Sequence, residues 1–106
     1  MDKATVYYEV DVEVDEAIFD EYLPWLEAHV QKILAIPGFQ RANLSEKKTL
    51  KPGRRNVVVV YELRSMDCLN RYIEDHAVKL REEAIERFGE KIKIMRRIFP
   101  EREKQS

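Results

Sequence analysis

Near the start of the chain, Thr5–Val14 (TVYYEVDVEV) sets Val6, Tyr8, Val10, Val12 and Val14 against Tyr7, Glu9, Asp11 and Glu13. A period of two in a Val- and Tyr-rich run predicts a strand with one buried face. Asp15 follows, and its carboxylate can accept the free N–H groups of a helix start. From Glu16 to Ala35 the period lengthens. Ile18, Tyr22, Trp25/Leu26, His29/Val30 and Ile33/Leu34 recur every three or four residues, which predicts the first helix. Pro24 removes one N–H and crowds the carbonyl four residues back, so a kink or restart is expected near Asp20. Pro37-Gly38 stops the helix.

Phe39–Leu50 predicts a second strand, with Phe39, Ala42, Leu44 and Leu50 among polar residues. So little apolar material suits an edge. Lys51-Pro52-Gly53-Arg54 is a turn signal, so this strand and the next form a hairpin. In Asn56–Leu63 (NVVVVYEL), Val57 to Val60 are apolar on both faces, as in a strand with neither face in water. Ser65–Phe88 predicts the second helix, capped by Ser65 or Asp67. Its buried stripe is Leu69, Tyr72/Ile73, His76/Ala77, Leu80, Ala84 and Phe88. Gly89 suits its C-cap. Ile92–Phe99 is the last strand, ended by Pro100, and Glu101–Ser106 is a charged tail. The order βαββαβ predicts an α+β, ferredoxin-like fold: a four-stranded antiparallel sheet with both helices on one face. Residues 1–100 form a single domain and 101–106 the tail.

Composition changes this picture in two ways. Of the 106 residues, 37% are charged, too many for surface loops alone. The first 40 residues hold nine acids and two bases, the remainder eleven acids and seventeen bases, which reads either as acidic and basic strands meeting in space or as chance. No run approaches the ~18 apolar residues of a membrane span, and the acidic start is unlike a signal peptide. One cysteine, Cys68, excludes an internal disulfide, and a cytoplasmic protein with no membrane partner is expected.

Two helices cover only one sheet face. The other would show Tyr7, Glu9, Asp11 and Glu13 beside Val58, Val60 and Glu62, and Lys93, Met95, Arg97 and Phe99. Pairing this open face with a second copy would cover its apolar part, so a C2 homodimer is expected. With the first and last strands adjacent, Glu9, Asp11 and Glu13 are expected to meet Lys93 and Arg97 across the ladder.

Candidate chemistry is sparse. Trp25 and His29, four apart, share one helix face, as do Tyr72, His76 and Leu80 on the second helix. If both helices lie on one sheet face, His29 and His76 can approach each other as a general acid/base pair. Core packing is the plainer alternative for both. Two histidines without a third ligand do not make a metal site, and none is expected. The row Glu9, Asp11, Glu13 suits a hard cation or, better, ion pairs. Lys47, Lys48, Lys51, Arg54 and Arg55 cluster at the hairpin, but no aromatic interleaves with them, so a solvated loop is expected and no nucleic-acid partner. Cys68 opens a helix and reads as structural.

Trp25-Leu26-Glu27-Ala28-His29, Pro37-Gly38-Phe39, Leu69-Asn70-Arg71-Tyr72-Ile73 with His76-Ala77 and Leu80-Arg81, then Arg87-Phe88 and Arg96-Arg97 together resemble a small bacterial family of uncharacterised domains. That family is similar to the dimeric α+β barrel superfamily, which includes antibiotic-biosynthesis-type monooxygenases. The resemblance spans Val6 to Phe99 and implies a dimeric barrel in which two sheets face each other. A haem-degrading branch uses a second-helix histidine, a first-strand asparagine and a tryptophan. Here His76 lies on the second helix, the first strand has no asparagine, and Trp25 is on the first helix, so no cofactor is expected. The leading expectation is a module binding a small, partly apolar ligand at Tyr8, Tyr22, Trp25 and Tyr72, with His29 and His76 as candidate catalytic groups. The alternatives are a cofactor-independent monooxygenase-like enzyme acting on an aromatic substrate, and a structural or assembly protein without a pocket. A concave pocket of roughly a few hundred Å³ at the helix–sheet junction would separate the last from the others.

Overall fold

The computed structural model describes residues 5–49 and 51–100. The tail at 101–106, and Leu50 at the end of the second predicted strand, lie outside them. Four strands form one antiparallel sheet: β1 (Val6–Asp15), β2 (Phe39–Lys47), β3 (Arg54–Leu63) and β4 (Ile92–Pro100), in the spatial order β2-β3-β1-β4. The fold is ferredoxin-like, with element order βαββαβ. The Val/Tyr alternation sets the register. Val6, Tyr8, Val10 and Val12 stand opposite Leu63, Tyr61, Val59 and Val57, and all of these but the half-buried Val10 are buried beneath the helices. β2 is an edge, and its charged and polar residues are mostly exposed.

The first helix begins in two steps. Asp15 Oδ1 accepts from the Ala17 N–H at 3.0 Å and starts a 3-10 turn, Glu16–Ile18; the α-helix α1 then runs Phe19–Leu34. The restart therefore falls at Phe19, just ahead of the expected Asp20. Starting there leaves Pro24 inside the helix, where only the Asp20 carbonyl loses its donor. Phe19, Tyr22, Leu26, Val30 and Ile33 face the sheet. Gly38 then takes φ +98°, which favours glycine, and its carbonyl accepts from the Arg64 N–H at 2.9 Å. A Cβ here would lie 2.6 Å from Cys68 Sγ, so glycine is required on both counts.

The second helix differs from the regular one expected. It runs as α2 (Met66–Tyr72), a π-helical turn (Ile73–Ala77) and α3 (Val78–Phe88), with the Ser65 hydroxyl accepting from the Cys68 N–H at 3.3 Å as its cap. A π turn bonds i to i+5, one residue more than an α turn. Tyr72 is therefore followed on the buried face by Ala77, which is fully buried, while His76 turns outward and is exposed. His76 still meets the Tyr72 ring, but it does not follow Tyr72 onto the buried face.

The open face also departs from expectation. β1 and β4 are neighbours, with Glu9 opposite Arg97 and Glu13 opposite Lys93. Yet among the described residues no carboxylate lies within 4.0 Å of the Lys93 or Arg97 side-chain nitrogens. The partners come instead from the hairpin read as a solvated loop. Lys47 Nζ reaches Asp11 at 2.9 Å, and Lys51 and Arg54 reach Glu13 at 3.2 and 3.3 Å. Asn56 Nδ2 donates to the other Asp11 oxygen at 2.6 Å. β3 lies between β2 and β1, so the Lys47–Asp11 bridge must cross over it. Val58, opposite Asp11, is accordingly only 9% exposed in a single chain. The bare apolar surface lies instead on β4, at Met95 (60% exposed) and Phe99 (42%).

Candidate functional site

Between the helices and the sheet lies a cavity of about 40 Å³. α1 supplies Tyr22, Trp25, Leu26, His29 and Ile33; the second helix supplies Tyr72, Leu80, Arg81 and Ala84. The floor is Tyr8, Val10 and Val12 on β1, Val59 and Tyr61 on β3, and Ile94 and Arg96 on β4. A water needs roughly 10–15 Å³ by this measure, so the space holds a few waters or one small functional group. It is far below the few hundred Å³ that would admit a whole organic ligand.

Aromatic contacts build the walls. The Trp25 ring stacks on His29 at 4.7 Å and meets Phe88 edge-on at 5.3 Å. Tyr22 meets Phe88 edge-on at 4.9 Å. Tyr8 stacks on Tyr61 at 6.1 Å and meets Tyr72 at 5.9 Å. Such pairs favour offset or edge geometry because the ring face is negative and the edge positive. Burial raises the pKa of the Tyr22, Tyr61 and Tyr72 phenols, that of Tyr72 to about 12, so all three stay protonated at neutral pH.

The polar groups are few. His29 is half-buried, and its Nδ1 is enclosed with no hydrogen-bond partner. Burial lowers its pKa; Glu83 opposes this, while Lys32 and Arg96 reinforce it. The ring is thus neutral at physiological pH, with one nitrogen free to accept a proton. Arg81 donates to the Tyr8 hydroxyl at 3.3 Å, and its Nε is enclosed without a partner. Arg96 is exposed at the β4 side of the cavity; its charge works against the burial-driven rise at Tyr22 and Tyr72 and adds to the lowering at His29.

Tyr8, Tyr22, Trp25, His29 and Tyr72 therefore line one cavity, as a group. His76 is not among its lining residues; its ring stacks on Tyr72 at 6.4 Å and is exposed. The structure does not bring His29 and His76 to a common site. Sequence reasoning missed Arg81 and Arg96. The signal for Arg96 was available: it occupies an inward position of β4, between Ile94 and Ile98, where a charge is out of pattern. Cys68 is half-buried; the Ser65 hydroxyl donates to its Sγ at 3.3 Å and lowers its pKa, aided by Arg64. A second groove, of about 280 Å³, runs between α1 and β2 along Val30, Leu34, Ala42 and Leu44.

This architecture is that of a ferredoxin-like α+β protein with an aromatic cavity under its helices. The chain belongs to the family described as Domain of unknown function (DUF4286), whose profile matches residues 5–101. No curated protein matches it in sequence. Solved structures of similar fold include a candidate monooxygenase from Shewanella loihica PV-4, with TM-score 0.63 and 14% identity over 97% of each chain. Another is SnoaB, a cofactor-independent oxygenase from Streptomyces nogalater, with TM-score 0.62 and 16% identity over 95% of this chain and 96% of that one. A third is a dimeric ferredoxin-like protein from an uncultured marine organism, with TM-score 0.60 and 11% identity over 97% of this chain and all of that one. At these identities the likeness is one of fold, which hosts many chemistries.

Proposed function

We propose that this protein is a homodimer that binds a small, partly apolar ligand in the cavity between helices and sheet. The observation that carries the reading is His29 Nδ1, enclosed without a partner in a wall of aromatic rings. A buried polar atom left unsatisfied costs about 1–3 kcal/mol, and a ligand atom or a water that bonds it removes that cost. The cavity is small, so a ligand enters by displacing the half-buried Trp25 ring. Dimerisation through the open sheet face is supported by exposed Met95 and Phe99 on that face, and by the dimeric ferredoxin-like protein of the same fold.

Trp25 is the sole tryptophan, so its emission reports on the cavity. A library of small aromatic compounds, read by Trp25 fluorescence and thermal shift, tests the proposal. A binder raises Tm and alters emission together. No compound doing both, while Trp25 stays shielded from a neutral quencher, would leave the third alternative: an assembly protein with a closed core.

A second reading is a cofactor-independent monooxygenase-like enzyme, with a neutral His29 taking a proton from an aromatic substrate. SnoaB, of similar fold, is a cofactor-independent oxygenase. Oxygen consumption abolished by His29→Phe and retained by His76→Ala, with both variants folded, would support it. Loss in His76→Ala alone would overturn the assignment to His29.

A further inference from the structure

We infer that the cavity is an anion site that takes a carboxylate. This rests on the ligand-binding reading above and specifies the class of ligand. Two guanidinium groups, Arg81 and Arg96, line a cavity that has no carboxylate in its wall. Among the described residues neither arginine has an acidic side chain within 4.0 Å, whereas seven other ion pairs form in the molecule. Other cations, Lys93 and Arg97 among them, are also unpaired, but they stand in solvent; Arg81 is half-buried against a cavity whose wall offers it no counter-charge.

Unused donors sit in the same wall. Arg81 uses one terminal nitrogen on the Tyr8 hydroxyl, at 3.3 Å, and keeps its enclosed Nε unused. The His29 Nδ1 is another enclosed polar atom without a partner, and His29 lines the same cavity; the third such atom among the described residues, on Arg54, lies elsewhere. In the tautomer that protonates this nitrogen, a neutral imidazole donates there as well. A guanidinium fork matches the two oxygens of a carboxylate, and burial strengthens such charge-assisted bonds. Size narrows the choice. About 40 Å³ suits a flat three-atom carboxylate better than a tetrahedral phosphate. Tyr8, Tyr22 and Tyr72 line the same cavity, and displacement of Trp25 opens space between rings, so an aryl carboxylate suits it better than an aliphatic one.

The same chemistry has two sources: a free small carboxylate, or the head of an aromatic acid. Titrations of the intact protein with acetate, benzoate, neutral benzamide and inorganic phosphate, followed by Trp25 fluorescence and calorimetry, distinguish them. Benzoate is expected to bind, with benzamide at least about tenfold weaker because it lacks the charge. Arg81→Gln is expected to weaken benzoate by about tenfold or more and leave benzamide unchanged. Arg96→Gln, on the exposed edge strand, gives the same selective loss in a variant whose folding is not at issue. Acetate binding as tightly as benzoate, with the same sensitivity to both variants, keeps the anion site and removes the aromatic part of the ligand. Benzamide binding as well as benzoate overturns the anion site while leaving the ligand-binding reading intact. Phosphate binding in preference to both carboxylates overturns the assignment of class. No binding of any of the four probes overturns the inference outright.

Discussion

Replacing His29 with phenylalanine tests the electrostatics of the cavity directly. The substitution keeps a flat ring against Trp25, which stacks on His29 at 4.7 Å, and deletes the titrating group. Burial holds the His29 pKa below its usual value in the folded protein. Near pH 6.5 the unfolded chain therefore takes up this proton first. Stability from the neutral ring is present above that pH and is lost as pH falls towards the depressed folded value. The ceiling is one proton, or about 1.4 kcal/mol per pH unit. Between pH 6.5 and 5 that limit is about 2 kcal/mol, and partial solvent contact reduces it to about half. Glu83 on α3 pulls the other way; it is itself paired with Lys32 at 3.0 Å. Urea unfolding of wild type and His29→Phe at pH 5, 6, 7 and 8 gives the difference curve. The wild type should lose stability relative to the variant from pH 7 to pH 5, by less than the ceiling of about 2 kcal/mol. Parallel curves, or a wild type that gains on the variant in acid, would refute the account of a buried neutral imidazole.

The remaining predictions concern the frame around the site. Gly38→Ala should cost about 3 kcal/mol, from positive φ together with overpacking against Cys68, lowering Tm by more than about 10 °C. Adding Cys68→Gly should recover the overpacking share despite about 1 kcal/mol of lost helix propensity, which denaturant melts of the double variant will measure. Deleting exposed Asp75 should convert the π turn to a regular α turn at a cost below about 1 kcal/mol, leaving far-UV circular dichroism unchanged. Met95→Glu with Phe99→Glu should turn a dimer into a particle of 12.6 kDa in sedimentation while the fold persists. A lone particle already present in the wild type at the same concentration would contradict the proposed assembly.

The fold was legible because its strands carry unambiguous periods. The alternation from Val6 to Val14 places one face of β1 under the helices, and Asn56–Leu63, apolar on both sides, reads as the inner strand it is. Tyr22, Trp25 and His29 share a helix face whatever their partners, so their joint appearance in one cavity followed from spacing alone. Three other features could not be read that way. Nothing in Ile73–Ala77 marks a π turn; no proline or glycine punctuates it. Its effect, that Tyr72 and Ala77 are both buried five residues apart, shows only in the folded chain. The partners of Asp11 and Glu13 were misassigned because ladder register fixes Cα positions, whereas Lys47 and Lys51 are long enough to reach from the hairpin. Cavity size depends on how rings interlock, and it was set by edge-on contacts such as Tyr22–Phe88 that no one-dimensional pattern encodes.

The wide turn at Ile73–Ala77 also bears on how relatives should be compared. It acts as a one-residue insertion absorbed by a helix rather than by a loop. A homologue with an unbroken helix at this point would superpose well on both sides yet be one residue shorter. Its alignment to this chain would then need a gap in the middle of a helix, where alignment procedures penalise gaps most. Forcing the two sequences through without it would slide every later position by one, and would match the ring lining of one protein to the solvent side of the other.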